Sequence, residues 1–250
     1  MTGLAGKTAF VSGAGRNIGR AITLELAARG CNVVVNGRAD REASEATAEA
    51  ARGRGDGVEA LVAMGDVGRS ETVREIAEAA LARFGAVDIV VNNAAIRPAT
   101  PFLEMREEDW HRVLDVDLHS AFYTCRAFLP GMVAQGWGRI VNITGMNAIN
   151  GYAGRSPASV AKHGLWGLTK TLAKEFGANG ITTNAISPGP IRTEHADPAV
   201  AQRIAERVTQ VPLGRLGEPE DIAAAAGFLC SVEAGFVNGQ MLGANGGAQT

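Results

Sequence analysis

Lys162 stands inside SPASVAKHGLWGLTKTLAKEFG, a stretch whose apolar residues recur at helical spacing. Four positions earlier, on the same helical face, is Ala158. An ammonium one turn from an acidic hydroxyl lowers that hydroxyl's pKa and helps it pass a proton to a nascent alkoxide. Here the partner position carries only a methyl. Near the start of the chain, SGAGRNIGR places Gly13, Gly15 and Gly19 between an apolar run and a helical pattern. Backbone N–H groups in such a turn, at a helix N-terminus, cradle a pyrophosphate. The spacing is Gly13-x-Gly15-x-x-x-Gly19 rather than GxGxxG, and a glycine-rich turn alone can be a purely structural loop. Its place in the first strand–helix–strand unit favours the nucleotide reading. The second apolar run ends in Asn36-Gly37-Arg38, where an NAD site would carry an acid for the ribose 2′-hydroxyl. Arg38 and Arg16 can hold a 2′-phosphate instead, so NADP(H) is favoured over NAD(H); the alternative is two solvated surface arginines.

The elements that position these residues follow from periodicity. KTAFVSG, CNVVVN, EALVAMGD, VDIVVNNA, GRIVNIT, ITTNAISP and GQMLGAN are seven strand candidates, mostly continuous apolar runs suited to burial on both faces. Between the first two, Ile18, Ile22 and Leu26 repeat every four residues and Gly30 supplies the stop. Ser70 to Phe84 reads as a helix with Ser70 as its N-cap. Longer helices run from about 107 to 135 and 157 to 176, and a last one near 219–231. Regular alternation of this kind predicts a Rossmann-type α/β fold, a doubly wound parallel seven-stranded sheet with helices on both faces. With no linker, repeat or low-complexity break, residues 1–250 read as one domain.

Composition narrows the function classes. A hydrophobic fraction of 46% with 32 glycines fits a large core with many tight turns, and a net charge of −2 argues against a nucleic-acid surface or an anionic membrane patch. Cys31, Cys125 and Cys230 show no CxxC or metal spacing, so reduced core cysteines and no metal site are expected. The N-terminus lacks a signal pattern and no run approaches the length of a membrane span, which predicts a soluble cytoplasmic protein.

Taken together, the motifs resemble those of the short-chain dehydrogenase/reductase family over essentially the whole chain. SGAGRNIG (12–19, including Ile18) is similar to the family's TGxxxGxG, with Asn17 in place of the middle glycine. Asp66-Val67 resembles the pair that contacts adenine. NNAA (92–95, including Asn93 and Ala94) is similar to NNAG. SPGPIRT (Pro188, Gly189, Ile191 and Thr193 among its residues) is similar to the motif that holds the nicotinamide amide. The tail PLGRLGEPEDIA…FVNGQMLGANGG matches the family's C-terminal pattern, as in 3-oxoacyl carrier-protein reductases. The resemblance implies a segment covering the substrate at about 190–212, where Glu194, His195 and Asp197 lie. It also implies dimers or tetramers, of like or mixed subunits, through the helices at about 107–135 and 157–176.

The same resemblance locates the chemistry and its loss. The family uses Asn, Ser and Tyr-x-x-x-Lys. Aligned without gaps through KHGLWGLTK, Lys162 takes the lysine position, Ala158 the tyrosine, Gly145 the serine and Asp117 the asparagine. Lys162 then grips the nicotinamide ribose without its acid partner. Candidate substitutes are Thr144, next to Gly145, and Tyr152, in the loop before the helix. Ser159 is rotated by about 100° around the helix; His163 reads as a packing or solvent residue. Asp117 is placed to pair with Lys162, weakening any role of the lysine as a donor. Asp115 and His111 read as a solvated or subunit-facing stripe; Trp166, Leu168 and Leu172 suit an interface or the core. Three readings follow: an NADP(H)-dependent oxidoreductase with a weak or non-standard proton route, a silent subunit supporting an active homologue in a mixed oligomer, and a non-redox or dinucleotide-sensing role.

Overall fold

In a computed structural model of the chain, which describes residues 3–194, 202 and 205–249, seven parallel strands form one sheet in the order β3-β2-β1-β4-β5-β6-β7. The strands are β1 (Thr8–Val11), β2 (Asn32–Gly37), β3 (Ala60–Met64), β4 (Ile89–Asn92), β5 (Gly138–Ile143), β6 (Ile181–Pro188) and β7 (Met241–Ala244). β1, β4, β5 and β6 are buried throughout; β1 and β4 read as apolar runs, while β5 and β6 also bury polar residues such as Asn142 and Asn184.

Helices cover both faces. One face carries α1 (Asn17–Ala28), α2 (Arg41–Arg52) and α8 (Pro219–Cys230), packed through Ile22, Leu26, Ala48, Ile222 and Leu229 against the sheet. The other carries α3 (Ser70–Phe84), α5 (Ser120–Gln135) and α7 (Ser156–Phe176), whose Ile76, Phe128 and Leu172 meet Phe10, Val90 and Ile140. Phe10 and Phe128 rings stand 5.4 Å apart. Before α5 lies α4 (Glu107–Leu114), and the short α6 (Asn147–Asn150) precedes α7.

One helix was not foreseen and two local expectations are corrected. α2 was not legible as a helix, because REASEATAEAAR has no large apolar residue; its buried face is Ser44, Thr47, Ala48 and Ala51. Ser70 is the first residue of α3 rather than its cap: Arg69 is the extended N-cap residue, and no side chain caps it. The helix read at about 107–135 is interrupted, since Asp115–His119 forms a π-helical segment between α4 and α5. Asp117, in the middle of this widened turn, is buried, and π-bulges are frequent at functional sites. The three cysteines are buried and unpaired. Among the described residues, no helix is long and apolar enough to cross a membrane.

Candidate active site

The residues singled out in the sequence collect at the C-terminal ends of the strands, around the crevice between β1 and β4. Strand order reverses there, which is where open α/β sheets bind ligands. Gly13, Gly15, Arg16, Asn17, Ile18 and Gly19 form the β1–α1 turn and the first residues of α1. Arg38 directly follows β2, Asp66 and Val67 follow β3, and Asn93 and Ala94 follow β4. Thr144 and Gly145 follow β5; Pro188 ends β6, with Gly189, Ile191 and Thr193 beyond it. His195 and Asp197 lie outside the described residues, as does part of the 190–212 segment.

The glycine turn is built for close approach. A Cβ on Gly19 would lie 2.1 Å from the Gly13 carbonyl oxygen, so α1 starts against the loop with no room for a side chain. Asn17 has φ +50°, the left-handed conformation that asparagine tolerates better than most residues. Its side chain faces the segment after β6: Oδ1 accepts from Glu194 N at 2.8 Å, and Nδ2 donates to Glu194 O at 3.3 Å. Asn93 braces the turn from β4, its Nδ2 donating to Ser12 O at 2.9 Å and Gly13 O at 3.1 Å. Below, a buried network links β4, β5, α5 and α7. Asn92 Nδ2 donates to Asn142 Oδ1 at 2.8 Å, Thr124 Oγ1 to Asn92 Oδ1 at 2.7 Å, and Asn142 Nδ2 to Thr169 Oγ1 at 2.9 Å. Such a satisfied network fixes strand ends in place. Gly19→Ala should cost at least 1–3 kcal/mol (roughly the overpacking range), read as a lowered Tm with weakened nucleotide binding.

Two turns suit a dinucleotide. The glycine turn offers free backbone approach at a helix N-terminus, and Arg16 and Arg38 are both exposed beside it. Neither arginine forms an ion pair with a described residue. Asp66 is already engaged: Oδ2 lies 2.5 Å from Arg112 Nη2, and Oδ1 accepts from Gly68 N at 2.9 Å. Those contacts fix the carboxylate at the rim of the crevice.

The chemical end is arranged around Lys162. Its Nζ donates to Ile143 O at 3.1 Å and stands 3.6 Å from Asp117 Oδ2; both side chains are almost fully buried. Asp117 Oδ1 accepts from Ile96 N at 2.8 Å, while Oδ2 has no hydrogen-bond partner. Burial pushes the Lys162 pKa down, with Asp117 opposing and Arg97 adding to the fall. Burial therefore outweighs pairing, so the ammonium gives up its proton more readily than the expected weakening by Asp117 implied.

The substitute hydroxyls do not converge on this pair. Thr144 is buried and donates its hydroxyl to Ile186 O at 2.9 Å, which ties it to β6. Tyr152 is 46% exposed, and its hydroxyl makes no hydrogen bond to a described residue. Ala158 is buried at 2% exposure, with Ser159 Oγ beside it unpartnered. Gly145 has φ +108°, a conformation that serine rarely adopts. His163 Nδ1 lies 2.9 Å from Ser159 O on its own helix, and Asp115 pairs with His119 at 2.9 Å rather than with His111. Sequence reasoning missed Ile143 O and Arg97 beside Lys162, and Asn142 in the network beneath, because these meet only once the sheet has formed.

A parallel α/β sheet with a glycine turn at its crevice and a buried lysine reaching from the second turn of α7 to the end of β5 defines a dinucleotide-dependent oxidoreductase architecture. The family model described as enoyl-(acyl carrier protein) reductase matches residues 13–249. The chain belongs to the short-chain dehydrogenase/reductase family of NAD(P)-dependent oxidoreductases. It is 36% identical to the 3-oxoacyl-[acyl-carrier-protein] reductase FabG of Staphylococcus epidermidis over 241 residues, covering 96% of this chain and 98% of that protein. To the FabG of Vibrio cholerae it is 37% identical, covering 98% of each. A solved structure from Agrobacterium tumefaciens, assigned as a gluconate dehydrogenase, superposes with a TM-score of 0.91 at 34% identity over 99% of this chain and 97% of that one. Another, from Beutenbergia cavernae, is assigned as an NAD(P)-dependent gluconate 5-dehydrogenase and has NADP bound at low occupancy. It superposes with a TM-score of 0.90 at 38% identity, over 99% and 98% of the two chains.

Proposed function

We propose that this chain binds NADP(H) and exchanges hydride between it and a carbonyl or alcohol substrate, with a proton route weakened by the loss of the family's phenol and serine hydroxyl. The observation that carries the reading is the Lys162–Asp117 pair at 3.6 Å, buried beneath the crevice with Ala158 one turn before the lysine. When bound, the nicotinamide would supply the hydride. Gly13, Gly15, Asn17, Ile18 and Gly19 would hold the pyrophosphate, Asp66 and Val67 the adenine, and Asn93, Ala94 and Lys162 the ribose side. Pro188, Gly189, Ile191 and Thr193 would hold the nicotinamide amide.

The proton is the difficult part. A positioned general acid contributes about 10²–10⁴-fold, and a donor to the developing oxyanion about 10²–10³-fold. Thr144 is tied to β6, Tyr152 is exposed, and Ser159, though next to Ala158, is rotated by about 100° around the helix. The remaining acid is Lys162 Nζ itself, whose lowered pKa favours release, with Asp117 Oδ2 balancing the charge. A lysine held by Ile143 O delivers that proton less directly than a phenol would, and slow turnover follows.

The free 2′-phosphate partners Arg16 and Arg38 support NADP(H) over NAD(H). Calorimetry should show NADPH binding about tenfold or more tighter than NADH, with Arg38→Ala removing most of the difference. Equal affinities in the wild type would sink the cofactor preference.

A second reading is favoured by the tied Thr144 and by the φ of +108° at Gly145, which disfavours a serine there: a silent subunit supporting an active homologue. Phe122 on α5 and Val160 on α7 are each 47% exposed, on the helices through which like or mixed dimers and tetramers would form.

A further inference from the structure

Three guanidinium groups from distant parts of the chain gather at the mouth of the crevice. Arg97 comes from the loop after β4, Arg155 immediately precedes α7, and Arg207 sits in the 3-10 turn Glu206–Gln210. Arg155 and Arg207 both lie against the Tyr152 ring, each Cζ 5.9 Å from its centroid. The loop of Arg97 is joined to theirs by Thr100 N, which donates to Gly154 O at 2.9 Å. Arg97 lies near enough to feel the charges of Asp117, Arg155 and Arg207. None of the three arginines forms an ion pair with a described residue, and Arg207 Nε is buried without a hydrogen-bond partner.

Like charges so gathered repel one another, and Tyr152 holds two of them by cation–π contact instead of letting them swing apart into water. The one described carboxylate facing them, Asp117, acts on Arg97 and is shared with Lys162 at 3.6 Å, so the cluster carries more positive charge than its described surroundings balance. We propose that Arg97, Arg155 and Arg207 form an anion-recognition site, and that the substrate is a small polar carbonyl or alcohol bearing a carboxylate or phosphate at the end remote from the reacting carbon. This rests on the reaction centre being at Lys162, as proposed above. The helical rise gives a scale for the molecule. Arg155 and Lys162 are seven residues apart on one helical course, roughly 10 Å at 1.5 Å per residue. That is the length of a short-chain acid or sugar phosphate rather than of a long acyl chain. Guanidinium groups grip either anion through paired N–H donors, which fixes orientation as well as affinity.

The test titrates D-gluconate, D-glucose 6-phosphate and the uncharged D-glucitol into the full chain by calorimetry, with and without NADP⁺. One or both anions should bind about tenfold or more tighter than glucitol, and the preference should shrink as salt rises. Preference for gluconate assigns a carboxylate, and preference for the sugar phosphate a phosphate. Arg155→Gln with Arg207→Gln, and separately Arg97→Gln, should erase most of it while circular dichroism stays unchanged. Equal binding of glucitol, no binding of either anion, or a preference that survives the arginine variants would each overturn the site. Anion binding in a chain that fails to bind NADP⁺ upholds it while sinking the cofactor reading. NADP⁺ binding without anion preference does the reverse.

Discussion

Ala158→Tyr should raise NADPH-dependent ketone reduction by about 10²–10⁴-fold, measured as loss of NADPH absorbance over a panel of carbonyl substrates. The variant puts a phenol one turn before Lys162, where an ammonium lowers its pKa and shortens the route of the proton. Ala158 is 2% exposed, so the ring must displace neighbours; a stability cost of about 1–3 kcal/mol is expected alongside the gain. Ala158→Phe separates the two effects. It fills the same space without a hydroxyl and should show the cost without the gain. Adding Gly145→Ser should not help, because φ +108° strains any L side chain at that position. No rise in Ala158→Tyr, in a protein that still binds NADPH, would mean that the missing phenol is not what limits turnover. A wild type turning over many times per second and collapsing in Tyr152→Phe would point to a relocated acid.

The sheet was legible because most strands are short apolar runs, with β1, β4, β5 and β6 buried on both faces, so parallel pairing followed from their alternation with helices. α2 was not, because its small buried face is shaped by what lies beneath. A Cβ on Gly37 at the end of β2 would come 2.2 Å from Ser44 Oγ and one on Gly15 in the glycine turn 3.2 Å from it, so large side chains on that helix face would collide with both. Spacing in SPASVAK gave the lysine and its missing partner at once, since residues four apart share a helix face. The π segment at Asp115–His119 left no trace in the sequence, because an extra residue in a helical turn does not alter composition. The arginine cluster was equally hidden: Arg97, Arg155 and Arg207 are spread over 110 positions and meet only after β4, α7 and the segment beyond β6 are in place.

Asp117→Ala should destabilise the chain by about 3–5 kcal/mol at neutral pH, read from denaturant unfolding, because it strands a buried ammonium. The loss has two parts. One is the orphaned Ile96 N–H, which now donates to Oδ1 at 2.8 Å and costs about 1–3 kcal/mol when left unpaired at any pH. The other is the uncompensated charge on Lys162, and it is pH-dependent. Burial already pulls the lysine's pKa below its ordinary value, and removing Asp117, which opposes that shift, lowers it further. Between that lowered value and about 10.4, the unfolded chain holds a proton that the folded one has released, so stability rises with pH across the window. Asp117→Ala should accordingly recover part of its loss toward alkaline pH, before general alkaline unfolding. Asp117→Ala combined with Lys162→Met carries no buried charge and should show the Ile96 penalty alone, flat across the same range. If the single variant were no less stable than the wild type, or its deficit independent of pH, the two side chains would not form the coupled pair on which the proposed proton route depends.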